Sequence, residues 1–393
     1  MSAHAFCRNP LADRSAAYGP DQLAVLNDDA FRLARETITG WSGYAETPLL
    51  ALPGLAARAG VGALAYKDES ARFGLGSFKA LGGAYAVCRV LSRSAAESGI
   101  SPSDARAFAD HAAKCTVACA TDGNHGRSVA WGARTFGCNC TIFVHETVSE
   151  GRKQAIEAFG ATVVRCKGNY DDSVREAQRQ ADANGWTVVS DTSYPGYADI
   201  PKDVMQGYEL MAFEAMNQWP TRTPPTHIFI QTGVGGLAAA VTAHVWRRFG
   251  AARPKIVLAD PLNSACWLET IREGAPVAVS GDIETVMAGL ACGEISDLAW
   301  TVLRQSADAV VGLDDASAVE GMKILAEGRY GDKPVTAGES AVAGLMALLA
   351  VADVEEERAA LGLDESSRVL VFGTEGATDP DLYARLVGQP AAV

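Results

Sequence analysis

Lys79 stands in the stretch ARFGLGSFKALGGAYAV, residues 71–87, behind Ser77 and Phe78 and ahead of Gly82 and Gly83. The alanine-rich run that follows reads as a helix, which puts the lysine at a helix start. A lysine amine is a weak nucleophile until it is desolvated or set beside cationic or dipolar groups. The positive end of a helix dipole disfavours its charged form. These surroundings suit a neutral, bond-forming amine, with an exposed lysine on an amphipathic helix as the alternative. A second loop, QTGVGGLAAAV (231–241), combines a helix start with Gly233, Val234, Gly235, Gly236 and Leu237. Its free N–H groups and close backbone approach form a cradle suited to phosphate; a ligand-free turn is the alternative. No Lys-Ser or Lys-Thr follows the glycines, which disfavours a nucleoside triphosphate. The third glycine of the dinucleotide fingerprint is missing, which disfavours a nicotinamide dehydrogenase. A phosphate cradle and an activated lysine together suggest pyridoxal phosphate, which offers both a phosphate and an aldehyde.

Two further loops would complete such a site. In ATDGNHG (120–126), Asn124 can bond the cofactor's ring hydroxyl oxygen. The N–H groups around Thr121, Asp122, Gly123 and His125 can hold a substrate carboxylate. His125 taken alone reads as structural before catalytic. In FGTEGATD (372–379), the Thr374 hydroxyl can bond the pyridine nitrogen. A neutral partner there leaves that nitrogen unprotonated and the ring a poorer electron sink, which favours rapid expulsion of a β-leaving group over reversible proton shuttling.

Loops of this kind need a sheet to carry them. TVACA (116–120), CTIFVH (140–145), TVVRC (162–166) and WTVVSD, ending at Asp191, alternate with amphipathic helices. HIFIQ (227–231), KIVLAD (255–260) and RVLVFG (368–373) form a second series. Short apolar runs separated by helices indicate an α/β protein with mostly parallel sheets covered on both faces. Ligands in such sheets bind at the C-terminal strand ends, where the candidate loops fall. The pattern predicts a large cofactor-binding domain from 1–85 plus 193–393 and a small mobile α/β domain at 86–192.

Composition narrows the partners. Hydrophobic residues are 48% of the 393 and charged residues 21%, consistent with a sizeable core. A formal charge of −13 argues against nonspecific binding to nucleic acid or acidic membrane. No segment supplies the roughly 20 apolar residues of a membrane helix, and the N-terminus lacks the pattern of a signal peptide. The nine cysteines are an odd number without CxxC spacing, which reads as reduced cytoplasmic thiols and no metal site. A bridge between Cys266 and Cys292 stays open.

Together, GSFKALGG, TDGNHG and GVGG resemble the fold type II, tryptophan synthase β-like family of pyridoxal-phosphate enzymes, over roughly residues 40–380. ARFGLGSFKALGGAYA, ATDGNHGRSVAWGA, SDTSYPGYADIPKDVMQGY, MAGLACGE and GTEGATDP are similar to the diaminopropionate ammonia-lyases within it. The common dehydratases carry an arginine at the position of Leu81 and a small residue or serine at Asp122. The resemblance implies two domains, a homodimer, and Lys79 and Asp122 as bases on opposite faces of the substrate Cα, so that both L and D isomers are processed. A buried aspartate is costly unless it binds a cation or moves a proton. Asp191 would therefore position or protonate the β-amino group of 2,3-diaminopropionate, and the products would be pyruvate and two ammonia; for Asp191 and Asp122 alike, capping or loop hydrogen bonding is the alternative. Glu339 and Ser340, in AGES (337–340), would line the cofactor face. Small-domain closure would exclude water, and Gly82 and Gly83 would leave room for the cofactor ring. The alternatives are a lyase for serine, threonine or another β-substituted amino acid, and a protein that binds the cofactor without turnover.

Overall fold

The structure, a computed structural model, describes residues 4–391 apart from 102, 122, 169 and 222. Its strands are β1 (His4–Arg8), β2 (Leu49–Ala51), β3 (Ala63–Asp68), β4 (Thr116–Ala120), β5 (Asn139–His145), β6 (Thr162–Cys166), β7 (Thr187–Val188), β8 (His227–Gln231), β9 (Lys255–Pro261), β10 (Ala307–Leu313) and β11 (Arg368–Gly373). The chain divides into two compact units. The first comprises Met1–Asp28, Ala45–Phe78 and Glu209–Val393, and the second Asp29–Tyr44 and Lys79–Tyr208. The expected boundary at 85/86 would cut the helix Lys79–Glu97, which instead belongs whole to the second unit. A continuously hydrogen-bonded helix moves as one rod, so the boundary falls at its first residue.

The first unit holds a seven-stranded sheet in the order β1-β10-β9-β8-β11-β3-β2. Its five inner strands are parallel, and β1 and β2 close the two edges antiparallel. All five residues of β8 are buried, as expected of a central strand covered on both faces. The apolar helix Ala343–Ala352 lies close against it: a Cβ on Gly344 would fall 2.6 Å from the Phe229 carbonyl oxygen. The second unit holds a parallel four-stranded sheet, β6-β5-β4-β7. The extended run predicted up to Asp191 forms a strand only over Thr187–Val188.

In the second unit the helices Lys79–Glu97 and Asn124–Phe136 pack with almost no space between their backbones. A Cβ on Gly83 would lie 1.8 Å from Ser128 Oγ, and one on Gly132 would lie 2.7 Å from the Ala84 Cα. Gly82 is pressed by Tyr208 and Val204, at 2.4 and 2.7 Å from where its Cβ would be. The expectation that Gly82 and Gly83 make room for a cofactor ring is therefore corrected: they make room for neighbouring helices.

A buried ionic cluster anchors the segment of the first unit that runs up to Ser77. Lys67, Glu69, Arg72 and Glu214 are all at most 1% exposed. Lys67 Nζ donates to Glu214 Oε2 at 2.7 Å, and Arg72 makes paired bonds to both Glu69 and Glu214. Burial pushes the Glu214 carboxyl up, but Arg72 and Lys67 outweigh it and hold it below the ordinary range. Breaking one partner of such a cluster strands the other charges. Glu214→Gln is expected to cost about 3–5 kcal/mol in denaturant unfolding.

Candidate active site

The second unit brings Lys79, Asp191 and His125 together. Lys79 is the first residue of its helix, as predicted, and its Nζ donates to Asp191 Oδ2 at 2.6 Å. Nζ also lies 5.7 Å from the centre of the Tyr208 ring, a neighbour 129 positions along the chain that no local signal announced. Asp191 sits three residues beyond β7, where ladder pairing has ended, and side chains hold the approach to it. The Tyr197 hydroxyl donates to the Val188 carbonyl and accepts from the Ser190 N–H, each at 2.9 Å. Burial pushes the Asp191 carboxyl up, but the charge of Lys79 and its hydrogen bond outweigh it and hold it well below the usual carboxylate range. The pair is a carboxylate facing an ammonium.

The loop after β4 is a tight turn built on Thr121. Its Oγ1 accepts the N–H groups of Gly123 and Gly126, at 3.1 and 3.2 Å, and its own N–H donates to the Phe143 carbonyl. A Cβ on Gly126 would strike Thr121 Cγ2 at 2.2 Å. The N–H groups of Thr121 and Gly123 are thus committed within the unit, which corrects the expectation that they bind a carboxylate. The Gly126 N–H, in the first turn of the helix Asn124–Phe136, is committed to the same Thr121 hydroxyl. Asn124 opens this helix, and Asp122 lies outside the described residues.

The first unit gathers the other predicted loops. Gly235, at φ +98°, is the N-cap of the helix Gly236–Phe249 and brings no side-chain cap to it. A Cβ on Gly235 would lie 2.3 Å from the Trp267 indole, and one on Gly233 would lie 3.1 Å from Cys292 Sγ and 3.2 Å from the Leu290 Cα. MAGLACGE therefore packs directly on the glycine loop, with the Val234 carbonyl bonded to the Ser296 N–H at 2.9 Å. Ser340 ties three motifs together: its Oγ accepts the Gly289 N–H at 3.2 Å, and its N–H donates to Glu375 Oε1 at 3.1 Å. Glu339 beside it is buried. Ser77 bridges to Glu375, and the Phe78 N–H donates to the Thr374 carbonyl at 3.0 Å. Cys266 and Cys292 are not bridged to each other.

These residues fit pyridoxal phosphate. The glycine loop leads into a helix N-terminus that no side chain caps, and its left-handed turn at position 235, pressed on Trp267, admits only glycine. The Gln231 amide donates to the Phe372 carbonyl at 2.9 Å and to Thr374 Oγ1 at 2.7 Å. A carbonyl only accepts, which fixes the amide's orientation. Thr374 Oγ1 is then the acceptor in its bond to Gln231 and keeps its own proton to donate to a pyridine nitrogen. Gly235→Ala should add about 1–3 kcal/mol of backbone strain besides the clash. It is expected to raise the Kd for pyridoxal phosphate by about tenfold or more, read by absorbance titration of the stripped protein.

Comparison with known proteins agrees with this chemistry. The family model described as pyridoxal-phosphate dependent enzyme matches residues 41–374. The chain belongs to that family. It is 37% identical over 359 residues to a diaminopropionate ammonia-lyase of Salmonella typhimurium, covering 88% of each chain. It is 38% identical over 367 residues to one of Escherichia coli, covering 92% of each. The crystal structure of the holo Escherichia coli diaminopropionate ammonia lyase superposes with a TM-score of 0.87 at 33% identity, covering 98% of this chain and 97% of that one. The complex of that enzyme with an aminoacrylate-PLP azomethine reaction intermediate gives 0.86 at 34% identity, with the same coverage. The fold is type II, and the family's cofactor is pyridoxal phosphate.

Proposed function

We propose that this chain is an ammonia-lyase for 2,3-diaminopropionate, acting on the L isomer and on the D isomer, with pyruvate and two ammonia as products. The observation that carries this reading is the half-buried Asp191 carboxylate, which faces an ammonium at 2.6 Å. A hydroxy-amino acid offers no cation at Cβ, whereas a diamino acid carries a second ammonium that such a carboxylate can hold. The similarity to diaminopropionate ammonia-lyases over about nine-tenths of the chain supports it.

The glycine loop at 233–237 would hold the cofactor phosphate, Thr374 the ring nitrogen, Asn124 the ring hydroxyl and Lys79 the aldehyde. When bound, pyridoxal phosphate supplies an aldehyde for the substrate amine and a conjugated ring that takes up the electron pair left at Cα. Lys79 Nζ serves as the base on one face of Cα, and Asp122 serves on the other. The first turn of the helix Asn124–Phe136 receives the substrate carboxylate. Asp191 Oδ2 holds the β-ammonium, which departs as neutral ammonia when the Cβ–N bond breaks and its electron pair goes to nitrogen. Hydrolysis of the released enamine yields pyruvate and the second ammonia. The working form is read as a cytoplasmic homodimer, on the strength of the family resemblance and of nine cysteines without CxxC spacing.

The test is turnover of L- and D-2,3-diaminopropionate beside serine and threonine, counting pyruvate and ammonia together. Two ammonia per pyruvate is the expected result. Turnover of the hydroxy-amino acids alone would overturn the reading in favour of a dehydratase.

A further inference from the structure

His125 is buried, 7% exposed, in the first turn of the helix Asn124–Phe136. Its Nε2 lies 3.0 Å from the Val189 carbonyl oxygen. A carbonyl only accepts, so Nε2 must carry a proton. Burial pushes the imidazole's pKa down and outweighs the pull of Asp191, so the ring stays neutral. A neutral ring with its proton on Nε2 leaves Nδ1 as a bare acceptor. Among the described residues, Nδ1 has no hydrogen-bond partner, and it lies 3.8 Å from Asp191 Oδ2. Two lone-pair-bearing atoms facing each other at that distance are mutually repulsive unless a donor stands between them. One nitrogen cation bridges such a gap with a bond of about 2.8–3.0 Å to each. Asp191 Oδ2 already takes an ammonium, that of Lys79.

We propose that His125 Nδ1 and Asp191 Oδ2 form a two-point receptor for the substrate's second ammonium. Two of the three N–H bonds of that ammonium are then satisfied in a place where an unpartnered one is costly. The arrangement keeps the leaving nitrogen protonated until the Cβ–N bond breaks, and the bonding pair leaves with neutral ammonia, so no other proton donor is required. A substrate with a β-hydroxyl presents one O–H to the same two acceptors and leaves one of them bare, which gives the site a preference for diamino acids. This inference rests on the function proposed above.

Two substitutions separate binding from packing. His125→Gln keeps an N–H donor at the ε position for Val189 and loses the acceptor at the δ position. His125→Asn keeps an acceptor at the δ position and loses the Val189 bond. The expected result is that Gln lowers the ratio of kcat/KM for 2,3-diaminopropionate over that for serine by about 10- to 100-fold, while Asn retains most of it. Equal loss of the ratio in both variants, or loss in neither, overturns the proposal. In the 15N-histidine-labelled holoenzyme, His125 should show a protonated Nε2 and a bare Nδ1, and the Nδ1 resonance should shift on addition of methylammonium chloride. The same addition to Asp191→Asn should shift it less. An Nδ1–H tautomer, or no shift in the wild type, sinks the receptor. Wild-type enzyme that turns over only serine or threonine removes the diamino-acid reading instead, and the methylammonium result still decides whether the receptor exists.

Discussion

Replacing Lys79 with alanine is expected to abolish both the visible-region absorbance of the protein and its turnover, by at least about 10³-fold. In the proposed reaction Lys79 bonds the cofactor aldehyde, and its Nζ also serves as a base. The variant should remain folded. Lys79 is the first residue of its helix, and its loss removes one half-buried ion pair rather than core volume. Circular dichroism should therefore match the wild type while the chromophore is gone. An intact chromophore at the wild-type wavelength would transfer the assignment to another lysine.

Asp191→Asn carries the second large effect. The side chain keeps its shape but loses the negative charge that faces Lys79 Nζ and, in the proposed reaction, the substrate's ammonium. The expected outcome is a fall of about 10²-fold or more in kcat/KM for 2,3-diaminopropionate. A stability signature accompanies it in the cofactor-free protein. The folded-state pKa of Asp191 is depressed, so its contribution is fully present above the unfolded carboxylate value of about 3.9. It is lost as pH falls through the folded value. The wild type should therefore exceed the variant in Tm at neutral pH, and the gap should shrink as pH drops below about 4. A gap that is flat across that range would mean that the Lys79 pair does not stabilise the fold.

Several inner strands were legible because burial on both faces demands continuous apolar runs: TVACA, HIFIQ and RVLVFG are β4, β8 and β11 residue for residue, and the edge strand β6 is TVVRC. The inner strand β10 and the edges of the seven-stranded sheet were not. β1 and β2 are short, half-exposed and antiparallel, so neither a long apolar run nor a clean alternation marks them. β3 was hidden by Lys67, whose charge reads as surface until Glu214, 147 positions away, is seen to neutralise it in the core. WTVVSD looked like one strand to Asp191, but the strand spans only Thr187–Val188. The Val189 N–H makes the last bond to the sheet, at the Ala118 carbonyl, and Tyr197 takes the Val188 carbonyl and the Ser190 N–H.

The site divides in the same way. Lys79 at a helix start, the glycines at 233–236 and Thr374 after a strand were all readable in the chain. Each depends on backbone geometry and hydrogen bonding within a few residues, which local composition dictates. The cofactor class follows from those features. Tertiary structure alone decided that Asp191 meets Lys79 across 112 positions and that the Nδ1 of His125 has no hydrogen-bond partner among the described residues. It also decided that Gly82 and Gly83 yield space to Tyr208 and Ser128 rather than to a cofactor. Such juxtapositions depend on how whole elements pack, to within a fraction of the length of one side chain. No short stretch of sequence encodes that distance.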